Sequence, residues 1–65
     1  MLVLVNGQAY PLPESGTLAA LLRSVSPPAP FAVALNEEFI PRGTYEDCLV
    51  QPNDRIDIVH PTAGG

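Results

Sequence analysis

Residues 1–12 read MLVLVNGQAYPL, and this stretch decides how the fold begins. Met1 to Val5 is a run of residues that favour β-strands, and Asn6-Gly7 is the strongest short signal for a hairpin turn. Gln8 to Leu12 is therefore predicted to return as a second strand. Pro11 and Pro13 indicate that this strand lies at a sheet edge and ends quickly, because proline cannot donate a ladder hydrogen bond.

The second predicted element is an amphipathic helix. Thr17 is a good N-cap, and an apolar stripe follows it with the i, i+3, i+4 and i+7 spacing of one helical face. The stripe consists of Leu18, Leu21, Leu22 and Val25. The helix is expected to end before the proline-rich block of residues 27–30, because proline cannot continue a helix.

Further strands are predicted after the helix. Phe31 to Leu35 is expected to form the third strand, and Phe39-Ile40 a short fourth, with a turn over Asn36 to Glu38 between them. Arg42 to Cys48 is expected to be irregular or to form a single helical turn. Another turn over Gln51 to Asp54 leads to the last strand.

The last strand, Arg55 to His60, completes the predicted architecture. Its alternation places Ile56 and Ile58 on one face, opposite to Asp57 and Val59. A long crossover separates the first strand from the last, so the two could pair in parallel at the centre of the sheet. The elements predict an α+β domain, in which one main helix packs on one face of a mixed sheet of four to five strands.

Alternation along the strands also predicts which residues lie on each face of the sheet. The residues expected to meet the leucine stripe in the core are Met1, Val3, Val5, Val33, Leu35, Ile56 and Ile58. Those expected on the other face are Leu2, Leu4, Ala32, Ala34 and Val59. An apolar patch with a polar rim on so small a domain is typical of a docking surface. Scattered exposed aliphatic side chains are also normal, and the pattern alone leaves both interpretations open.

Composition restricts the kinds of partner. The chain has 65 residues, enough for one domain, and a net charge of −4 from seven acidic residues and three arginines, with no lysine. Nucleic-acid binding requires a cationic stripe, which this sequence lacks, so a protein partner with a positive surface is expected instead. The apolar start is too short for a signal peptide or a membrane span, and a cytoplasmic protein is expected. Cys48 is the only cysteine, which excludes an intramolecular disulfide, and it is expected to pack at least half-buried.

The sequence ends with Thr62-Ala63-Gly64-Gly65. Glycine has no Cβ, so two glycines make a slim strip of backbone that can enter a channel too narrow for side chains. A floppy terminus without function would have the same residues, so the rest of the chain must decide between the two interpretations.

Taken in order, the motifs of this chain resemble those of the ThiS family, the sulfur-carrier proteins of thiamin thiazole synthesis. The motifs are Met1 to Gly7, Gly16 to Leu18, Val33 to Asn36, Ile40 to Arg42, Asp54 to Val59 and Ala63 to Gly65. The chain departs from the family pattern at Asn53, where glycine is common, and at His60-Pro61-Thr62, where small or aliphatic residues are usual. The resemblance implies a β-grasp, ubiquitin-like domain over residues 1–60 and a flexible diglycine tail over residues 61–65.

The resemblance also implies that the chain is a protein co-substrate and not an enzyme. A ubiquitin-activating-type adenylyltransferase would use ATP and magnesium to join the Gly65 carboxylate to AMP. Sulfur from a persulfide donor would then leave a thiocarboxylate for a thiazole synthase, with Gly64 giving slim passage. No cofactor or metal is expected on the chain itself. The partner-binding residues implied are Leu2, Leu4, Ala32, Ala34, Asp57, Val59, His60, Pro61, Thr62 and Ala63.

Other functions remain open at this point. The small subunit of molybdopterin synthase also ends in diglycine, although that family is usually longer. A ubiquitin-like modifier conjugated to lysines, or a β-grasp interaction module with inert glycines, would share the fold. His60 is expected in the arm or an interface, since a lone histidine without a positioned partner is weak evidence for acid–base catalysis. Glu37-Glu38 and Glu46-Asp47 are expected to be solvated surface and not a metal site.

Overall fold

The computed structural model describes residues 1–61, and every strand and the helix expected from the sequence are present in it. The elements are β1 (Leu2–Val5), β2 (Gln8–Pro11), α1 (Leu18–Val25), β3 (Ala32–Leu35), β4 (Glu38–Ile40) and β5 (Arg55–Val59). A 3-10 turn at Arg42–Thr44 lies between β4 and β5, as the expected single helical turn. Strand bounds differ from the predicted ones by one residue at most.

The five strands form one mixed sheet in the order β2-β1-β5-β3-β4. β1 and β5 pair in parallel at the centre, with Leu4 opposite Arg55, as the long crossover predicted. The other pairs are antiparallel. β2 lies at one edge of the sheet and pairs only with β1. Pro11 is tolerated there because no further strand needs a backbone N–H group from it.

Both hairpins turn through two residues with positive φ, as a type I′ turn requires. In the first hairpin these are Asn6 (φ 50°) and Gly7 (φ 83°), which the sequence signalled. In the second they are Asn36 (φ 51°) and Glu37 (φ 72°). Glu38 therefore begins β4 and does not belong to the turn, contrary to the prediction. The longer turn was predicted because glutamate at the second position does not signal a left-handed residue.

Helix α1 begins at the predicted cap and has all of its first backbone donors satisfied. Thr17 Oγ1 accepts from the amide of Ala20 at 3.2 Å. The amide of Leu18 donates to the carbonyl of Cys48 at 2.8 Å, and that of Ala19 donates to Tyr45 at 3.1 Å. The irregular segment after β4 thus supplies two of the four partners that the N-terminus of a helix needs, and Thr17 supplies the other two.

The core lies between α1 and one face of the sheet. Its buried hydrophobic residues are Val3, Val5, Leu18, Ala19, Leu21, Leu22, Val33, Val50, Ile56 and Ile58. Leu35 is only half-buried but packs against this cluster, whereas Met1 was wrongly assigned to the core. Met1 precedes β1 at the rim of the sheet, where nothing covers it, and it is 85% exposed. Val50 was missed because it lies in the irregular segment, which has no alternation to read.

Helix α1 has eight residues, and no helix within residues 1–61 combines the length and hydrophobicity needed to cross a membrane.

Candidate functional site

The face of the sheet that α1 does not cover carries a row of apolar side chains, which we call the open face. Its members are Leu2, Leu4, Ala32, Ala34, Phe39 and Val59. The register places Val59 opposite Ala32 across the β3–β5 pair. Leu2, Leu4 and Val59 are 54%, 40% and 59% exposed, so the side of the sheet predicted for these residues is confirmed.

Phe39 belongs to the open face, and the sequence interpretation did not place it there. It lies opposite Ala34 in the β3–β4 register and is 66% exposed, the most exposed apolar side chain of this face. The two-residue turn at Asn36-Glu37 fixes that register. The sequence interpretation included Glu38 in the turn, and it therefore did not give the register that places Phe39 opposite Ala34. An aromatic side chain this exposed enlarges the contact area available to a partner.

One charged cluster borders the apolar row. Arg55 donates to Glu37 Oε2 at 2.6 Å and lies 3.4 Å from the Asp57 carboxylate, on the same face of the sheet. The hydrogen bond to Glu37 is the main cause that raises the pKa of the Arg55 guanidinium, and the attraction of Glu37 and Asp57 adds to it. Asp57, predicted to contact a partner, lies opposite Ala34 and is half-buried. The cluster therefore places paired opposite charges beside the apolar row.

The end of β5 is fixed by a side chain from the first hairpin. Asn6 Oδ1 accepts from the amide of Ile58 at 2.7 Å, and Asn6 Nδ2 donates to the carbonyl of Ile58 at 3.2 Å. These two bonds extend the β1–β5 ladder past the last backbone pair. The strand that leads to the C-terminal arm is consequently held from both sides up to Ile58.

The arm leaves the sheet after Val59. His60 is exposed, and its ring meets that of Phe31 edge-on, with centroids 6.5 Å apart and an interplanar angle of 65°. Pro61 is exposed and follows the strand end by two residues. The remaining predicted arm residues and the predicted reacting glycine, Thr62, Ala63, Gly64 and Gly65, lie outside the described residues.

The other candidates of the sequence analysis lie away from the open face or are solvated. Cys48 is half-buried against the core, and burial, followed by the charge of Asp54, raises the pKa of its thiol. All four side chains of the two acidic pairs are exposed, and Glu46 lies 3.5 Å from Arg23. Their predicted surface position is confirmed.

A five-stranded mixed sheet in this order, with one helix across one face, is the β-grasp fold of ubiquitin-like proteins. The sequence model of the ThiS family matches residues 3–65, and the chain belongs to that family. A solved structure of the thiamine biosynthesis protein ThiS from Geobacter metallireducens superposes with a TM-score of 0.82 over the whole of both chains. At 22% identity that likeness establishes the shared fold.

A second relative is a much longer protein. The chain is 33% identical over 66 aligned residues to a thiazole synthase of Magnetococcus marinus. The alignment covers all of this chain but 20% of that protein, so the chain spans about a fifth of the length of the relative.

Proposed function

We propose that this chain is a sulfur carrier of thiamin thiazole formation, which other proteins load and unload at Gly65. In this role it is a co-substrate and not an enzyme, and it acts in the cytoplasm. Membership of the ThiS family supports the proposal. The similarity to a thiazole synthase favours the thiazole pathway over the molybdopterin alternative.

The chemistry begins with a carboxylate, which is a poor acyl donor because oxide would have to leave. An adenylyltransferase of the ubiquitin-activating type would let the Gly65 carboxylate attack the α-phosphorus of ATP, with magnesium present, and pyrophosphate would leave. A persulfide sulfur would displace AMP and form an acyl disulfide. A thiol would then cleave the S–S bond, becoming oxidised to a disulfide, and leave the thiocarboxylate. A thiazole synthase would take the nucleophilic sulfur from that group.

One structural observation carries the proposal: β5 contributes side chains to the open face and leads directly into the arm. Asp57 and Val59 are on the open face, and His60 and Pro61 follow directly. A partner that binds the open face therefore also fixes the point from which the arm leaves. Extended residues span at most about 3.5 Å each, so residues 60–65 could carry a carboxylate roughly 20 Å from the sheet.

Removal of Gly65 tests the loading step. With purified adenylyltransferase from the same cell, the full chain should support exchange of labelled pyrophosphate into ATP, and the chain lacking Gly65 should not. Thermal unfolding of both chains checks that the domain is unchanged. Exchange that persists without Gly65 would refute the proposed site of adenylation.

The same replacement at two different glycines tests whether the arm must pass through a narrow channel. Gly64→Ala should slow loading, because a Cβ widens the arm one residue from the reacting carboxylate. Gly43→Ala should leave loading unchanged, since nothing lies within 4 Å of a Cβ built there. If both variants load like the unaltered chain, the arm does not need a slim tip.

The product is identified by mass. The C-terminal peptide of loaded protein should show an exchange of oxygen for sulfur, confined to the last residue. The assignment must come from that peptide, because oxidation of Met1 or Cys48 adds nearly the same mass. A loaded chain with an unmodified C-terminal peptide would contradict the carrier role.

A further inference from the structure

A groove lies on the helix side of the domain, away from the open face. We call it the helix-side groove. Its volume is about 500 Å³, and it runs between α1 and the segment that follows β4. Ala19, Leu22 and Phe31 supply its apolar surface, and a smaller hollow of about 130 Å³ continues it past Arg42 toward Pro30. The open face and the groove are therefore separate surfaces of the two layers.

The groove concentrates the positive charge of an acidic protein. The chain has three arginines and no lysine, and two of the arginines, Arg23 and Arg42, line this groove. Arg42 has no ion-pair partner within residues 1–61, and Arg23 is held only by an exposed contact of 3.5 Å to Glu46. The third, Arg55, is engaged by both Glu37 and Asp57. An acidic ligand is thus attracted at the groove and repelled by much of the remaining surface.

The pattern of lining groups indicates the chemistry of the occupant. Guanidinium groups bind carboxylates in a bidentate geometry, and the half-buried rings of Phe31 and Tyr45 leave apolar surface beside them. Glu46 is the one acidic residue in the lining, and it pairs with Arg23. A bound carboxylate could replace Glu46 on Arg23, since exposed ion pairs contribute little to stability. Small-molecule sites enclose most of their ligand, whereas this groove is open along its length. A protein segment fits the shape better than a small anion.

We propose that the helix-side groove is a second docking site, which binds an acidic segment of a partner protein with an aliphatic or aromatic residue next to its carboxylate. This proposal does not rest on sulfur transfer at Gly65. Because the groove and the open face lie on different layers, a protein at one leaves the other accessible. The chain can then hold two partners at once.

The test is a titration of the isotope-labelled 65-residue protein with acetyl-Glu-Leu-Phe-Glu-amide, followed by amide chemical shifts. The shift changes should saturate and should be largest around Leu22, Phe31 and Tyr45. The affinity should fall as salt is added, because salt screens the attraction between the charges. The neutral peptide acetyl-Gln-Leu-Phe-Gln-amide should bind about tenfold more weakly, since it lacks the charge-assisted bonds. Shifts that are absent, or that centre on the open face, would overturn the proposal.

Matched arginine variants separate the groove from general charge effects. Arg42→Gln should lower the affinity for the acidic peptide about tenfold. Arg55→Gln removes the same charge from the opposite face of the domain and should leave that affinity unchanged. Arg42 is exposed, and an unaltered amide spectrum away from the groove will show that the variant is folded. Equal effects of the two variants would contradict a specific site. AMP and inorganic phosphate serve as small anions, and binding of either as tight as the acidic peptide would refute a protein-segment site.

Discussion

Five residues other than glycine have a positive φ within residues 1–61, and each of them lies in a turn or at the end of the helix. They are Asn6, Ser26, Asn36, Glu37 and Asn53. Asparagine tolerates this conformation, and glycine adopts it freely, but serine and glutamate have no such preference. Turns at the asparagines were therefore predictable from the sequence, whereas the left-handed residues Ser26 and Glu37 were not.

Ser26 offers a direct test at the residue scale. It caps the C-terminus of α1 with φ 55°, and its amide donates to the Leu22 carbonyl at 2.7 Å. Ser26→Gly should raise the free energy of unfolding by about 0.5–1 kcal/mol, because glycine is the preferred residue at a left-handed cap. The measurement is urea unfolding followed by circular dichroism.

The matched control lies two residues earlier. Ser24 is exposed within the helix, so Ser24→Gly should lower the free energy of unfolding by roughly 0.5 kcal/mol. The same replacement should thus have opposite signs at the two positions. A loss of stability at both would mean that the Ser26 side chain contributes a contact that outweighs its backbone conformation.

At the scale of elements, β5 is held by asparagines from both hairpins. Asn6 bonds both backbone groups of Ile58, as described above. Asn36 Oδ1 accepts from the amide of Arg55 at 2.9 Å, and its Nδ2 donates to Asp54 Oδ1 at 3.1 Å. Each turn therefore reverses its own hairpin and also fixes one end of the central strand.

The contribution of the Asn6 side chain can be isolated by Asn6→Gly, which keeps the left-handed backbone but removes both bonds to Ile58. We expect the free energy of unfolding to fall by roughly 1–2 kcal/mol, the usual net worth of two hydrogen bonds. Amide hydrogen exchange at Ile58 should become faster. Both are measured on the purified chain, by urea unfolding and by exchange into heavy water.

Asn53→Gly is the control, because Asn53 also has a positive φ (72°) but makes no side-chain hydrogen bond within residues 1–61. Its stability should stay the same or rise slightly. If Asn6→Gly is equally harmless, then the bonds to Ile58 do not hold the strand.

Elements with a periodic pattern were predictable, and those without one were not. Most of the core was predicted from alternation in the strands and from the leucine stripe of α1, because a repeating spacing of apolar residues indicates which side of an element is buried. Val50 and the carbonyls of Tyr45 and Cys48 lie in an irregular segment, where position depends on contacts with a distant helix end. Their role in closing the N-terminus of α1 could be found only in the folded arrangement.

At the scale of the whole molecule, the sequence predicted which face of the sheet most apolar residues occupy, but not the contacts that depend on strand register. The row of Leu2, Leu4 and Val59 follows from alternation alone. The addition of Phe39 and the pairing of Arg55 with Glu37 depend on the register between β3, β4 and β5, which a one-residue change in turn length alters. The helix-side groove joins segments far apart in sequence, so no local pattern indicates it.

The open face can be tested as a docking surface for the adenylyltransferase. Leu4→Glu and Val59→Glu should each weaken binding at least about tenfold, because a carboxylate would have to be desolvated in an apolar contact. Both side chains are substantially exposed, so the domain should stay folded. Isothermal titration with the purified partner measures the affinity.

Leu49→Glu is the matched control for this experiment. Leu49 is 61% exposed but pairs with Thr17 beside the start of α1, outside the open face. It should leave the affinity unchanged. Loss of binding in all three variants would point to net charge, and unfolding of the first two would mean that these side chains are needed for the core.

The central position of β5 has a mechanical consequence. The strand pairs with β1 on one side and with β3 on the other. A force applied along β5 from beyond Pro61 would load both ladders in shear, so the hydrogen bonds on the two sides of the strand would share it. A partner that pulled on the end of the chain would therefore act on two ladders of the sheet together and not on a single edge strand.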